Sequence, residues 1–535
     1  MQDILVGCRV AFFLPSRLLP WLSMPRGAAA FLQNPFALDL RALGLLRMAL
    51  AAVLLTDLAI RSTDLEAHYA NMGVLPLHVL FANCWTPYQF SLHTMSGLWQ
   101  VQAILFLVAA GFAGALLLGY HTRLMTVLSW LMLVSLQNRN PLILQGGDDL
   151  LRMLLFWGIF LPWGRCYSLD AGRKPVPASF TYFSAATVAY IVQLALLYWC
   201  TALLKSGPEW TQDGTALYYA LSLDQILMPV GRLLYPHSEL LRLLTFGAYY
   251  TEMLLPFVLF IPFRVAWWRM VFITVLFLFH IGISLTLFVG LFYLINLASL
   301  LALLPASALA VLERHGLPPL QRLQQRVTFH TTAWRNRIDQ WPRPITLRLE
   351  ATWQLHRGSR QLLRSLREGL VLGLLVYICW WNVDSVAPTR RLFSDHSRWL
   401  GYLFRLDQHW GMFAPTVFKD DGWYILEATT ARGRRLDLNR GAAPVNYRKP
   451  ASVVSLSPND RWRKYSENYL FINNAYMRPY YCNYLLRIWQ ERLPTTPIRQ
   501  LDVVYMKEVS LPNYQVAPPT REVLCTCAPT VPAKP

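Results

Sequence analysis

The chain has 535 residues, 55% of them hydrophobic, with 34 Pro, 20 Trp and a formal net charge of +19. Its apolar residues gather into blocks of about 15–22, the length that crosses a bilayer core as a helix, and backbone polar groups inside lipid must be satisfied within such helices. This argues against a soluble multidomain protein and against a nucleic-acid binder, because the basic residues lie mostly between the apolar blocks, where they set membrane topology. The predicted architecture is an all-α polytopic membrane bundle of about nine transmembrane helices with a C-terminal extramembrane α+β domain.

Residues 1–38 are basic and form a cytoplasmic or interfacial segment; VAFFLPSRLLPWL is too short and too broken by proline to span, and no cleavable signal pattern is legible. The membrane domain covers 39–312. Spans are expected near 43–60, 99–119, 124–137, 150–163, 183–204, 241–262, 270–290 and 291–312, with a ninth at 369–383. The loop 62–98 has no Lys or Arg, whereas 313–368 has eleven Arg against four acids. With the basic stretch cytoplasmic, nine spans put the N-terminus inside, with Arg9, Arg17, Arg26 and Arg41. The turns bearing Arg123, Arg165, Arg173, Lys174, Arg264 and Arg269 fall inside too, and 62–98, 138–149, 205–240 and everything after 384 fall outside. The expected location is the cell membrane, with the C-terminal domain outside (periplasmic in a Gram-negative cell). Within 313–368, LQRLQQRV and RQLLRSLREGL carry Leu and Arg at helical spacing, the pattern of a helix lying on anionic lipid.

Residues 390–520 read as the α+β domain. WYILEATTARGRRLDL alternates and turns at Arg432-Gly433, a hairpin signal; PASVVSLS and IRQLDVVYMKEVSL read as further strands. RWRKYSENYLFINNAYMRPYYCNYLLRIWQERL reads as a helical hairpin, and 521–535 as a disordered tail. The eight cysteines contain no CxxC pair; Cys525 and Cys527 either pair with each other or stay free.

The stretch with most chemical promise is QLALLYWCTALLKSGPEW, Gln193 to Trp210. Lys205 ends its apolar run. It is either an interfacial lysine that snorkels to water or a partly buried lysine able to act as a general base. Glu209 and Asp213 follow, but Gly207-Pro208 breaks the helix, so they either belong to an ordinary loop or hold Lys205. Trp210 reads as an interfacial anchor. Charges within spans need a partner or a task. Arg47 and Asp57 are about 15 Å apart along one helix and cannot pair directly. Asp148 and Arg152 have the spacing of a favourable helical ion pair. Glu252 sits mid-span, with Arg47 a plausible partner. His280, in FLFHIGIS, is either an interhelical contact or a relay. No HExxH and no His/Cys cluster with ligand spacing occurs, GGDD offers too few oxygens, and no metal is expected.

Several motifs fall in the order of a known family. LGLLRMALAAVLLTDLAIRSTDLEAHYANMGVLPL, NRNPLILQGGDDLLRMLLFWGIFLPWGRCYSLD, LYWCTALLKSGPEWTQDGTALYYAL and FHIGISLTLFVGLFYLINLASLLALLP resemble the HTTM (horizontally transferred transmembrane) family, related to vitamin K-dependent gamma-carboxylase. HWGMFAPTVFKDDGW and RWRKY resemble the portion that follows the membrane domain, so the likeness spans about residues 36–515. In the carboxylase a lysine deprotonates reduced vitamin K, and oxygenation then yields a base strong enough to remove the gamma proton of a peptide glutamate. The resemblance matches that lysine to Lys205 and matches His280 to the histidine of the family's FH motif. A further functional histidine of the carboxylase falls on Gly147, and no histidine lies between His121 and His237, so gamma-carboxylation itself is not carried over.

The leading expectation is therefore a membrane enzyme with Lys205 as base, Glu252, His280 and Asp148 as its neighbours, a reduced quinone of the vitamin K kind as cofactor, and a secreted peptide or lipid as substrate. The alternatives are a non-catalytic scaffold or maturation partner for a secreted peptide and, with no internal hydropathy repeat to favour it, a transporter.

Overall fold

The computed structural model describes residues 31–173, 175–315, 357–387 and 394–529. The expectations for residues 1–30 and for 316–356 of the basic stretch lie outside these. The membrane half is built of α1 (Leu40–Ser62), α2 (Trp99–Leu118), α3 (Thr122–Arg139), α4 (Gly146–Gly158), α5 (Ala185–Leu204), α6 (Ser238–Leu254), α7 (Val265–Thr286), α8 (Phe292–Leu300), α9 (Ala306–His315) and α10 (Arg357–Val386). Six helices among the described residues are long and apolar enough to cross a membrane: α1, α2, α5, α6 with its 3-10 extension to Phe260, α7, and α10 over Gln361–Val386. The bent pair Phe292–Leu303 and Ala306–His315, turning through 109°, makes a seventh if it counts as one span.

The expected nine exceeds that number because of α3, α4 and the bent pair. α3 ends in buried Gln137, Asn138 and Arg139, and α4 has only 13 residues. α4 is buried on almost every side from Leu150 to Gly158, its one charge there, Arg152, being fully hydrogen-bonded. It packs against α3, α5 and α8. The outer helices differ. Leu107 on α2, Leu243 on α6 and Leu278 on α7 are 73%, 68% and 63% exposed. They belong to exposed faces of helices that are long and apolar enough to cross a membrane.

The C-terminal half holds β1 (Asp420–Thr430), β2 (Arg435–Asp437), β3 (Ala443–Pro444), α11 (Asp460–Leu470), α12 (Arg478–Arg492), β4 (Ile498–Val509) and β5 (Thr520–Cys527). The sheet order is β3-β2-β1-β4-β5, antiparallel throughout. The expected hairpin at Arg432-Gly433, the helical hairpin and the strand in IRQLDVVYMKEVSL are all present. Alternation along β1 gives the sheet two apolar faces. Leu426 and Ala428 join Leu501, Val503, Tyr465 and Tyr469 in a core shared with Leu58, Tyr69 and Phe106 at the end of the bundle. On the opposite face Trp423 and Ile425 meet Val504, Met506 and Val453.

Two expectations are corrected. PASVVSLS forms no strand, only a 3-10 turn at Val454–Leu456; the sheet instead ends at the two-residue β3, whose proline suits an edge. The tail is not disordered from residue 521: β5 pairs with β4, and Cys527 forms a disulfide with Cys482 of α12. Cys525 and Cys527 do not pair with each other, and Cys525 is a free thiol. Non-reducing peptide mapping should recover a 482–527 cross-link with Cys525 open to alkylation. Cys527→Ser should cost about 2–4 kcal/mol in unfolding free energy; an unchanged unfolding transition would show that β5 is held without the bond.

Candidate functional site

The local structure around Lys205 follows from its sequence. α5 stops at Leu204 because Lys205 leaves helical geometry (φ −78°, ψ 65°), and Pro208 then opens a short helix, Pro208–Thr211, at the position where a missing N–H costs nothing. The turn folds the chain back so that Trp210 lies under the lysine, whose Nζ sits 4.3 Å from the ring centroid. The same ammonium reaches α6, where it donates to Glu252 Oε2 at 2.5 Å. Both members of the pair are buried.

The wall of this site comes from the segment between α10 and the sheet. Trp210 Nε1 donates to Phe413 O at 2.9 Å, and Gly207 N to Pro415 O at 3.0 Å. A Cβ on Gly207 would lie 2.7 Å from Glu209 Oε2, 2.7 Å from Thr416 Cγ2 and 2.9 Å from Pro415 O, so only glycine fits this approach. Glu209 pairs with Lys419 at 3.1 Å rather than with Lys205. Its Oε2 is buried and, among the described residues, unpartnered. Trp210 is 3% exposed and serves as the lysine's platform, not as the expected interfacial anchor.

His280 is adjacent to the site but not in it. Its Nε2 lies 3.0 Å from Tyr198 Oη, which also donates to Asn296 Oδ1 at 3.3 Å. Tyr198 stands on α5 seven residues before Lys205, about 10 Å back along the helix axis. The histidine's Nδ1 has no hydrogen-bond partner among the described residues.

Asp148 does not neighbour Lys205, and this expectation is corrected. It belongs to a buried set of four charges. Arg461 of α11 donates to Asp148 at 2.6 and 3.0 Å and to Asp57 at 2.7 Å, while Arg61 donates to Asp57 at 2.8 Å and to Asp148 at 2.6 Å. Tyr69 Oη accepts from Arg61 at 2.9 Å, and Ile143 O from Arg461 at 2.9 Å. Two arginines and two aspartates cancel, and each is bidentate or doubly bonded, which is the condition for charge to be tolerated in a dry interior. Nothing in α1 or α4 signals this partner in sequence; Arg461 stands in RWRKY, 404 positions from Asp57.

Other pairings also differ from expectation. Arg152 bonds Asp149 at 3.0 Å, Gln137 Oε1 and the carbonyls of Arg405 and Asp407, leaving Asp148 to the set above. Arg47 does not meet Glu252; it donates to the carbonyls of Trp163, Leu116, Leu117 and Tyr167 and ties the end of α2 to the loop after α4. Helical spacing alone cannot distinguish such cross-helix partners from neighbours on one helix.

No family model, curated protein or solved structure matches this chain.

Arg461→Ala should leave Asp57 and Asp148 with one guanidinium between them and cost about 3–5 kcal/mol. Thermal unfolding of the detergent-purified protein reads this as a markedly lower transition, and a drop no larger than that of Lys464→Ala would show that the four charges are not coupled.

Proposed function

We propose that the protein is a multi-pass membrane enzyme of the carboxylase-like kind, with Lys205 as its general base. The observation that carries the reading is the lysine's setting: a buried Nζ, 2.5 Å from Glu252 Oε2 and 4.3 Å above Trp210, at the end of an apolar helix. A lysine acts as a base only as the neutral amine, and Glu252 Oε2 is placed to take the proton that this requires. Trp210 favours the ammonium that results, so the site has a support for each state. His280 and Tyr198 form a polar pair farther along α5 and act as positioning groups.

The cofactor in this reading is a reduced quinone, which supplies an acidic hydroxyl. Glu209 Oε2, a buried acceptor two residues beyond the Gly207 turn, fits a hydroxyl donor. The substrate is a secreted peptide or a lipid met at the outer face. The Cys482–Cys527 disulfide favours that outer location for the C-terminal half, since such bonds persist in oxidising compartments. The HTTM likeness of the motifs around Lys205 points the same way.

A second reading rests on the same contacts. Lys205 is fully partnered, as a structural ion pair between α5 and α6 would be, and a scaffold for a secreted peptide needs no more than that. Mass spectrometry of lipids and quinones retained by the purified protein separates the two. Stoichiometric quinone on the wild type, with loss of turnover but not of folding in Lys205→Ala, is the expected result. Bulk membrane lipid alone on both proteins would remove the enzyme reading in favour of the scaffold.

A further inference from the structure

A second cluster of acids lies on the sheet, away from Lys205. Asp421 of β1 and Glu508 of β4 stand directly opposite each other in the strand register, and both point to the face that carries Trp423, Ile425, Val504 and Met506. Carboxylates so opposed repel unless a cation lies between them. Asp224, from the loop after the short helix Ala216–Ser222, joins them; its backbone N–H donates to Asp421 Oδ2 at 2.7 Å. One oxygen from each of the three acids falls within 4.8 Å of the others.

The compensation visible in the structure is incomplete. Lys449 reaches Asp224 and Glu508 with its Nζ, which leaves Asp421 without a cationic partner among the described residues. Asp421 is 0% exposed, and its Oδ1 has no hydrogen-bond partner among those residues. Water has a route to the cluster: Lys449 and Glu508 line an open cleft of about 680 Å³, with Trp423, Tyr447 and Met506 on its walls.

We propose that Asp224, Asp421 and Glu508 form a binding site for a hard divalent cation, calcium or magnesium, which displaces the Lys449 ammonium into the cleft. The donor set is all oxygen, as such ions require, and one oxygen from each acid lies within 4.8 Å of the other two, close enough for a single ion to touch all three. Three carboxylates supply three to six oxygens, and water from the cleft completes the shell. An ion here would replace a single charge shared by two acids with a double charge shared by three. It would also fasten the loop at Asp224, which belongs to the membrane half, to the two central strands of the sheet.

Isothermal titration of the full-length, detergent-purified protein with calcium and, separately, magnesium chloride tests this, after stripping with a chelator. The wild type is expected to take up one ion per chain and to unfold at a higher temperature when loaded. Asp421→Asn keeps the shape and the hydrogen bond from Asp224 N but should weaken binding by about tenfold or more. Lys449→Ala removes the competing ammonium and should tighten it severalfold. Asp420→Asn, whose carboxylate pairs with Lys507 on the other side of the strand, should change nothing. The proposal is overturned if neither ion binds the wild type up to about millimolar concentration, the weak end of extracellular calcium sites. Equal binding by a correctly folded Asp421→Asn protein also overturns it, as does loss of binding in Lys449→Ala.

Discussion

The four buried charges of Asp57, Arg61, Asp148 and Arg461 are the interaction on which the arrangement of the two halves depends. Apolar packing between the bundle end and α11 is non-directional and would tolerate many orientations. Four charges cannot. Each aspartate takes hydrogen bonds from both guanidinium groups at 2.6 to 3.0 Å, and a shift of either half leaves charge uncompensated where water cannot reach. Around this centre the interface is finished by weaker polar contacts: Gln145 to Asp460, Asn459 to Asp64, Asn468 to the Leu142 carbonyl and Arg487 to Glu66.

That orientation also determines what closes the lysine site. The segment from Phe413 to Lys419 enters the sheet at β1, and it can lie across the Gly207 turn only if the sheet is held where the charges hold it. Lys205 thus has a carboxylate partner from α6 and a platform from the short helix Pro208–Thr211, but a lid from the C-terminal half, through Phe413, Pro415 and Thr416. The glycine at 207 is a condition of that contact, because the lid's backbone approaches where a side chain would stand.

Much of this was legible in the sequence. Length and apolarity gave the helices of the membrane half, and alternation with a Gly turn gave the central hairpin of the sheet. The Gly-Pro break after Lys205 marked the end of α5. What was not legible is pairing between distant segments. Glu252 was expected to need a partner and Arg47 was the one named, yet the placed helices give it Lys205. Asp148 and Arg152 have ideal helical spacing and still bond elsewhere: Asp148 takes the guanidinium groups of Arg61 and Arg461, and Arg152 takes Asp149 beside it and acceptors on other segments. The three acids at 224, 421 and 508 come from segments with no shared motif. The tail was misread because Pro-rich composition surrounds a short alternating run, REVLCTC, whose order comes from β4 and from Cys482.

The buried charge set has a consequence for biogenesis. A ribosome completes α1 roughly 400 residues before it makes Arg461, so the bundle must first exist with an incomplete set. Asp57 and Arg61 neutralise each other within one helix, but Asp148 must then share that single arginine until the C-terminal half brings Arg461. The nascent chain therefore carries a vacancy that only its last-made domain can fill. Any truncated chain ending before α11 would present to the quality-control machinery a bundle with one aspartate too many.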